Sequence, residues 1–226
     1  MTDFFDQAGA AVEASIEYFP ASGGFDAACN ADYASPAVPL TPLASPEPLV
    51  ESLGTREPSG GTPTLPALRG AVEYAGDLRR EAPNALVEVV VITDGEPAMY
   101  EVGGRVDECP SGDALLNTVD GVAAVARAAY EGVPSVRTHV LALGDTVDAL
   151  SIVANAGGTE FVAIPAAEPE VTRGAIAAVL RSIAAPSEYR RGRRPRAGVR
   201  GGPGSWRFKA RGTPQARQRN RRARRS

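Results

Sequence analysis

The apolar, β-branched run Val89 to Thr93 (VVVIT) ends at a carboxylate, Asp94, followed by Gly95, Glu96 and Pro97. Its length and branching predict a strand buried on both faces. In open α/β sheets ligands bind beyond the carboxyl ends of the strands, so an acid at that point faces a crevice. By residue type alone, Asp94 is also an ordinary loop acid before a turn glycine. A second group stands in SGGTPTLPAL, Ser59 to Leu68, where Gly60 and Gly61 permit a tight turn ahead of two hydroxyls, Thr62 and Thr64. Alone, that stretch is consistent with a plain turn. Glu96 and Asp145 fall at strand ends as well, as surface loop acids commonly do. The single histidine, His139, lies within a strand-like stretch and reads as a packed strand residue. No Ser, His and acid set can be built around it, so the residue types argue against an enzyme.

The elements that position these groups follow from apolar spacing. Residues 4–14 read as the end of a helix and Ala14 to Phe19 as a strand stopped by Pro20. Between Ala21 and Ser59 the chain is rich in Pro, Ala and Ser and reads mostly as loop, apart from a short apolar piece at Val38 to Leu40. Leu65, Leu68, Val72, Ala75 and Leu78 follow helical spacing, with Pro66 tolerated in the first turn. The strand Val87 to Thr93 comes next. A helix is expected from Asp113 to Tyr130 with Gly132 beyond its end, then a strand Val136 to Leu143 and a helix Val147 to Ala156. The strand Glu160 to Ile164 and a helix Glu170 to Ala184 complete the series. Strands alternating with helices predict a doubly wound α/β domain, a mostly parallel sheet with helices on both faces.

At 226 residues and 43% hydrophobic content the chain is long enough for one domain with a full core. No apolar run reaches the roughly 18 residues of a membrane span, and the N-terminus lacks the basic start and apolar stretch of a secretion signal. The two cysteines, Cys29 and Cys109, fit either one disulfide in an oxidising compartment or two inert thiols. The net charge of −3 conceals a segregation. Residues 190–226 hold 14 Arg, one Lys and no acid, leaving nine of the 24 basic residues against all 27 acids in residues 1–189, so +15 faces −18. The chain therefore divides into a domain over residues 1–188 and an Arg-rich tail over 189–226 that is disordered on its own. The tail could bind nucleic acid through its charge, with Trp206 and Phe208 available to stack on bases. Its abrupt start after Tyr189 and its Arg, Gly, Pro and Ala composition favour a shifted reading frame over an evolved arm.

Taken together, SGGTPTLPAL and VVVITDGEP, with Thr62 and Asp94 32 residues apart and one good helix between them, resemble the von Willebrand factor A domain. The later segment GDTVDALSIVANAGGTEFVAIP, Gly144 to Pro165, resembles that family's final helix, Ala-Gly-Gly-Thr turn and last strand. The likeness covers about residues 4–185. It implies a metal-ion-dependent adhesion site in which Thr62 and Asp94 are ligands of Mg²⁺ or Mn²⁺. Gly60, Gly61, Thr64 and Gly95 would form the loops around it, and a protein partner would supply a carboxylate to the ion. The donor types suit Mg²⁺, which takes hard oxygens and keeps waters and open positions. Cys29 precedes the first loop and Cys109 follows the second, so a bridge across the top of the sheet is open to them.

The family's first strand carries Asp-x-Ser-x-Ser, which supplies three further side chains around the metal, and this sequence does not contain it. Asp32 with Ser35 comes nearest but has the wrong spacing. The resemblance thus implies a sheet lacking its first central strand, which would lie upstream of Met1, and an ion held weakly or not at all. The expected function is a non-enzymatic protein-binding module. Family likeness points to the cell envelope or the exterior, and the alternative is a nucleic-acid-associated protein acting through the tail.

Overall fold

The computed structural model describes residues 12–21, 23–57, 60–101, 104–106, 116–144, 148–164 and 167–185. The chain forms β1 (Glu13–Ile16), α1 (Phe25–Asn30), β2 (Val38–Pro42), α2 (Glu47–Gly54) and α3 (Thr64–Glu81). It continues through β3 (Glu88–Thr93), β4 (Met99–Glu101), β5 (Gly104–Val106), α4 (Val119–Glu131) and β6 (Arg137–Leu143). A 3-10 turn (Asp148–Leu150), α5 (Ser151–Ala156), β7 (Val162–Ile164) and α6 (Pro169–Ala184) complete it.

The framework is a three-stranded parallel sheet in the order β3, β6, β7. Val91 stands opposite Val140 and Thr93 opposite Ala142, while Leu143 pairs with Ile164. Because successive side chains of a strand point to opposite faces, an unbroken apolar run needs a cover on each side. Val89, Val91, Val140 and Ala142 pack on one side with Leu65 and Leu68 of α3, Val122 and Ala126 of α4, and Val153 of α5. Val90, Ile92, Leu141 and Ile164 pack on the other with Leu180 of α6, Leu49 of α2 and the pair β1–β2. The parallel α/β expectation therefore holds, with helices flanking the sheet.

Three expectations are corrected. The stretch from Ala21 to Ser59 holds two helices and a strand, α1, β2 and α2, where only a short apolar piece at Val38 to Leu40 is expected to interrupt the loop. The strand near Ala14 is shorter than expected and pairs antiparallel with β2, Ala14 opposite Thr41; among the described residues no ladder joins it to β3. Its first residues, Glu13 and Ala14, also fall where a helix end was expected, the rest of that expected helix over 4–11 lying outside the described residues. Third, the helix expected from Asp113 begins at Val119, where Thr118 caps it by accepting the Gly121 N–H at 3.2 Å.

The Ala-Gly-Gly-Thr turn closes α5 onto β6. Gly158 has φ +74°, a left-handed backbone that L side chains avoid, and a Cβ there would meet the Tyr130 ring at 2.5 Å. Thr159 Oγ1 donates to the Thr138 carbonyl at 2.6 Å, while the Thr138 N–H donates to the Gly157 carbonyl at 3.1 Å. Among the described residues no helix is long and apolar enough to cross a membrane.

Candidate functional site at the rim of the parallel sheet

The site is built where β3 ends. Thr93 is buried, and its hydroxyl closes a short turn by donating to the Gly95 carbonyl at 3.0 Å and accepting the Gly95 N–H at 3.2 Å. That turn fixes the direction in which Asp94, one residue past the strand, projects. Asp94 is exposed, whereas Pro97 and Ala98 just after it are buried again.

The other half comes from the loop before α3. Gly60 has φ +92°, so the turn needs glycine there, while Gly61 is not among the glycines with positive φ. Thr62 then pairs with Ala98 as an isolated antiparallel bridge: the Thr62 N–H donates to the Ala98 carbonyl and the Ala98 N–H to the Thr62 carbonyl at 3.1 Å. The Thr62 carbonyl also accepts the Thr64 N–H at 2.8 Å and the Thr64 hydroxyl at 3.4 Å. Thr64, first residue of α3 and buried, thus spends its hydroxyl on the loop rather than on the crevice. Thr62 keeps its own hydroxyl beside the β3 turn, 3.5 Å from where a Cβ on Gly95 would stand. The bare Gly95 backbone leaves that space open.

Asn117 holds the two halves together, and the sequence reading passed over it. Its side chain is fully buried. The carboxamide oxygen accepts the Leu65 N–H at 2.9 Å, one of the unpaired donors at the start of α3, and the carboxamide nitrogen donates to the Thr62 carbonyl at 3.0 Å. Thr62 is therefore gripped by both ends of the excursion that leaves β3 at Asp94 and enters α4 after Asn117. Asn and Thr side by side ahead of VDGV are cap-type residues, the one local signal available. The regular spacing of Leu116 and Val119 hid it.

Of the residues the sequence singled out, Thr62, Asp94, Gly60, Gly61, Thr64 and Gly95 all fall on this rim. Glu96 is half-buried in the same turn. Asp145, Cys109, Trp206 and Phe208 lie outside the described residues, as does all of 186–226. Cys29, in α1, is buried and disulfide-bonded. Asp32 and Ser35 satisfy each other in a surface turn, the Ser35 hydroxyl donating to Asp32 Oδ2 at 2.7 Å. His139 sits toward the opposite end of the sheet, its Nε2 2.9 Å from Oε2 of Glu88, the first residue of β3.

The rim offers an ion one carboxylate and one hydroxyl. Among the described residues no three His, Cys, Asp or Glu side chains converge on one point. Such a donor pair fits a hydrated Mg²⁺ that keeps most of its water, and does not fit an ion stripped and caged by protein. No protein-family model matches the sequence, and no curated protein matches it.

Proposed function

We propose that this chain is a non-enzymatic binding module of the von Willebrand factor A type, whose rim captures an acidic group of a protein partner with the help of a loosely held divalent cation. The observation that carries the reading is the approach of the Thr62 hydroxyl to the Asp94–Gly95 turn, 3.5 Å from the position of an absent Cβ. Two loops far apart in sequence thereby bring a neutral and an anionic oxygen donor to one edge of a parallel sheet, where α/β proteins bind ligands. When bound, the cation would supply positive charge that attracts a carboxylate. The chain's own part is to orient the donors: Thr93 fixes the turn, Asn117 and Ala98 fix Thr62, and Gly95 keeps the approach clear.

The test is thermal unfolding in Mg²⁺ or Mn²⁺ against chelator, for the natural sequence and for Asp94→Ala. A ligand at ten times its Kd stabilises by about 1.4 kcal/mol, or about 3–6 °C for a domain of this size. The natural sequence should show a shift of that order and Asp94→Ala none. An unchanged midpoint in the natural sequence overturns the reading.

A second reading rests on the 15 positive charges of residues 190–226. Counterion release would make nucleic-acid binding through them fall steeply with salt and ignore chelator. Partner capture repeated across a salt series, with and without chelator, separates the two.

A further inference from the structure

We propose that the Asp94–Gly95 peptide is a latent isoaspartate site that the Thr93 hydroxyl holds closed. The sequence contains two Asp-Gly pairs, Asp94–Gly95 and Asp120–Gly121. Such a pair is the one most open to cyclisation, because glycine has no side chain to shield its nitrogen or restrict its backbone. Both aspartates are exposed. In both pairs a threonine hydroxyl accepts the glycine N–H at 3.2 Å, Thr93 for Gly95 and Thr118 for Gly121.

Closure forms a bond between the Gly95 nitrogen and Asp94 Cγ. The nitrogen gives up its proton, the protonated carboxyl gives up its hydroxyl, and the two leave as one water. Water then reopens the succinimide. Attack at the side-chain carbonyl restores aspartate, whereas attack at the backbone carbonyl routes the chain through Cγ and leaves the α-carboxyl free as isoaspartate.

To reach Cγ, the Gly95 nitrogen must turn away from Thr93, swinging the peptide plane about the Asp94 Cα–C bond. Thr93 Oγ1 opposes that rotation twice, accepting the Gly95 N–H and donating to the Gly95 carbonyl at 3.0 Å. Thr93 is itself fixed, being buried and set opposite Ala142 in the β3–β6 ladder. On the far side Pro97 and Ala98 are buried, and Ala98 is bridged to Thr62. Cyclisation therefore waits for the turn to open locally. The second pair lies in the first turn of α4, with Gly121 buried so tightly that a Cβ would stand 2.0 Å from the Leu116 carbonyl oxygen. It is held independently of Thr93 and serves as a reference in the same molecule. Isomerisation at Asp94 would lengthen the backbone by a methylene and draw the carboxylate off its place at the rim. The consequence for ligand capture rests on the rim being the binding site; the guard itself does not.

The experiment incubates the full chain at physiological pH and temperature, folded and in guanidinium chloride, with peptide mapping that resolves isoaspartate from aspartate. In denaturant both pairs should convert at similar rates. In the folded natural sequence both should convert about tenfold more slowly or less. Thr93→Val, and Thr93→Ala as a second way to remove the hydroxyl, should speed conversion at Asp94 about fivefold and leave Asp120 unchanged. Thr93→Ser, which keeps the hydroxyl, should stay near the natural rate. Conversion at Asp94 as fast in the folded natural sequence as in denaturant overturns the guard. So do an unchanged rate at Asp94 in the Val and Ala variants and an equal rise at Asp94 and Asp120 in both of them. Mn²⁺-dependent stabilisation of the natural sequence bears on the binding reading alone. Its absence would remove that reading while the conversion rates still decide the guard.

Discussion

The Thr62 hydroxyl lies 3.5 Å from the point a Cβ on Gly95 would occupy, which places one loop's side-chain oxygen against the backbone that carries Asp94 out of β3. Because Asp94 is exposed, removing its carboxylate should cost within about 0.5 kcal/mol of stability. Asp94→Ala and Thr62→Ala should therefore melt near the natural sequence in chelator yet lose any response to Mg²⁺. Titration calorimetry with Mn²⁺ checks the same point, and a preserved response in Asp94→Ala would remove the carboxylate from the site.

Asn117→Ala has the opposite profile. It leaves the Leu65 N–H without its acceptor in a buried place, while the Thr62 carbonyl still accepts the Ala98 and Thr64 N–H groups. One unmatched buried donor costs about 1–3 kcal/mol, which is the expected loss. Urea unfolding measures the loss, and faster exchange at Leu65 than at the amides of β6 would locate it. Equal effects throughout the domain would mean that Asn117 braces the whole fold rather than the rim.

Two glycine substitutions should differ sharply. Among the described residues a Cβ on Gly95 meets only Thr62 Oγ1, at ordinary van der Waals distance, so Gly95→Ala should be nearly neutral in stability while filling part of the opening. A Cβ on Gly70 would overlap the Tyr33 backbone and the Ala34 nitrogen at 2.6 Å or less, so Gly70→Ala should cost about 3 kcal/mol by forcing α3 away from the turn after α1. Thermal melts of the two variants side by side decide it. A destabilised Gly95→Ala would show that the rim has no room to receive a group.

Much of this fold is written in local patterns, and the missing parts have physical reasons. Helix α3 and strand β3 carry strong periodicity or an unbroken apolar run, and both appear within a residue or two of where the spacing puts them. Strand β2 shows in the sequence only as the short apolar piece Val38 to Leu40, because VPLTP contains two prolines, which lack the ladder donor and normally speak against a strand. Helix α1 is six residues long and starts after Gly24 without a side-chain cap, and α2 opens on Pro46 and Pro48, so neither announces itself among the loop residues around it. The rim divides in the same way. Thr62 and Asp94 stand in short motifs, whereas Asn117 acts on residues 52 and 55 positions away, a relationship that leaves no trace in local spacing.

Tyr33 gives the domain an alkaline limit. It is 3% exposed, its hydroxyl donating to the Ala28 carbonyl and accepting the Ala21 N–H at 3.1 Å. Burial raises its pKa above the ordinary value of about 10; the Ala21 hydrogen bond opposes the rise and the nearby Glu17 charge adds to it. The folded state thus favours the neutral phenol. That contribution is complete below about pH 10 and is lost as pH rises from there through the folded-state pKa. Tyr33→Phe should cost about 1–2 kcal/mol near neutrality through the lost hydrogen bonds. It also lacks the titrating group, so the gap to the natural sequence should narrow once the pH passes about 10. Urea unfolding of both proteins at neutral and at strongly alkaline pH measures the gap, and one that stays constant with pH would show that the phenol does not control the alkaline transition.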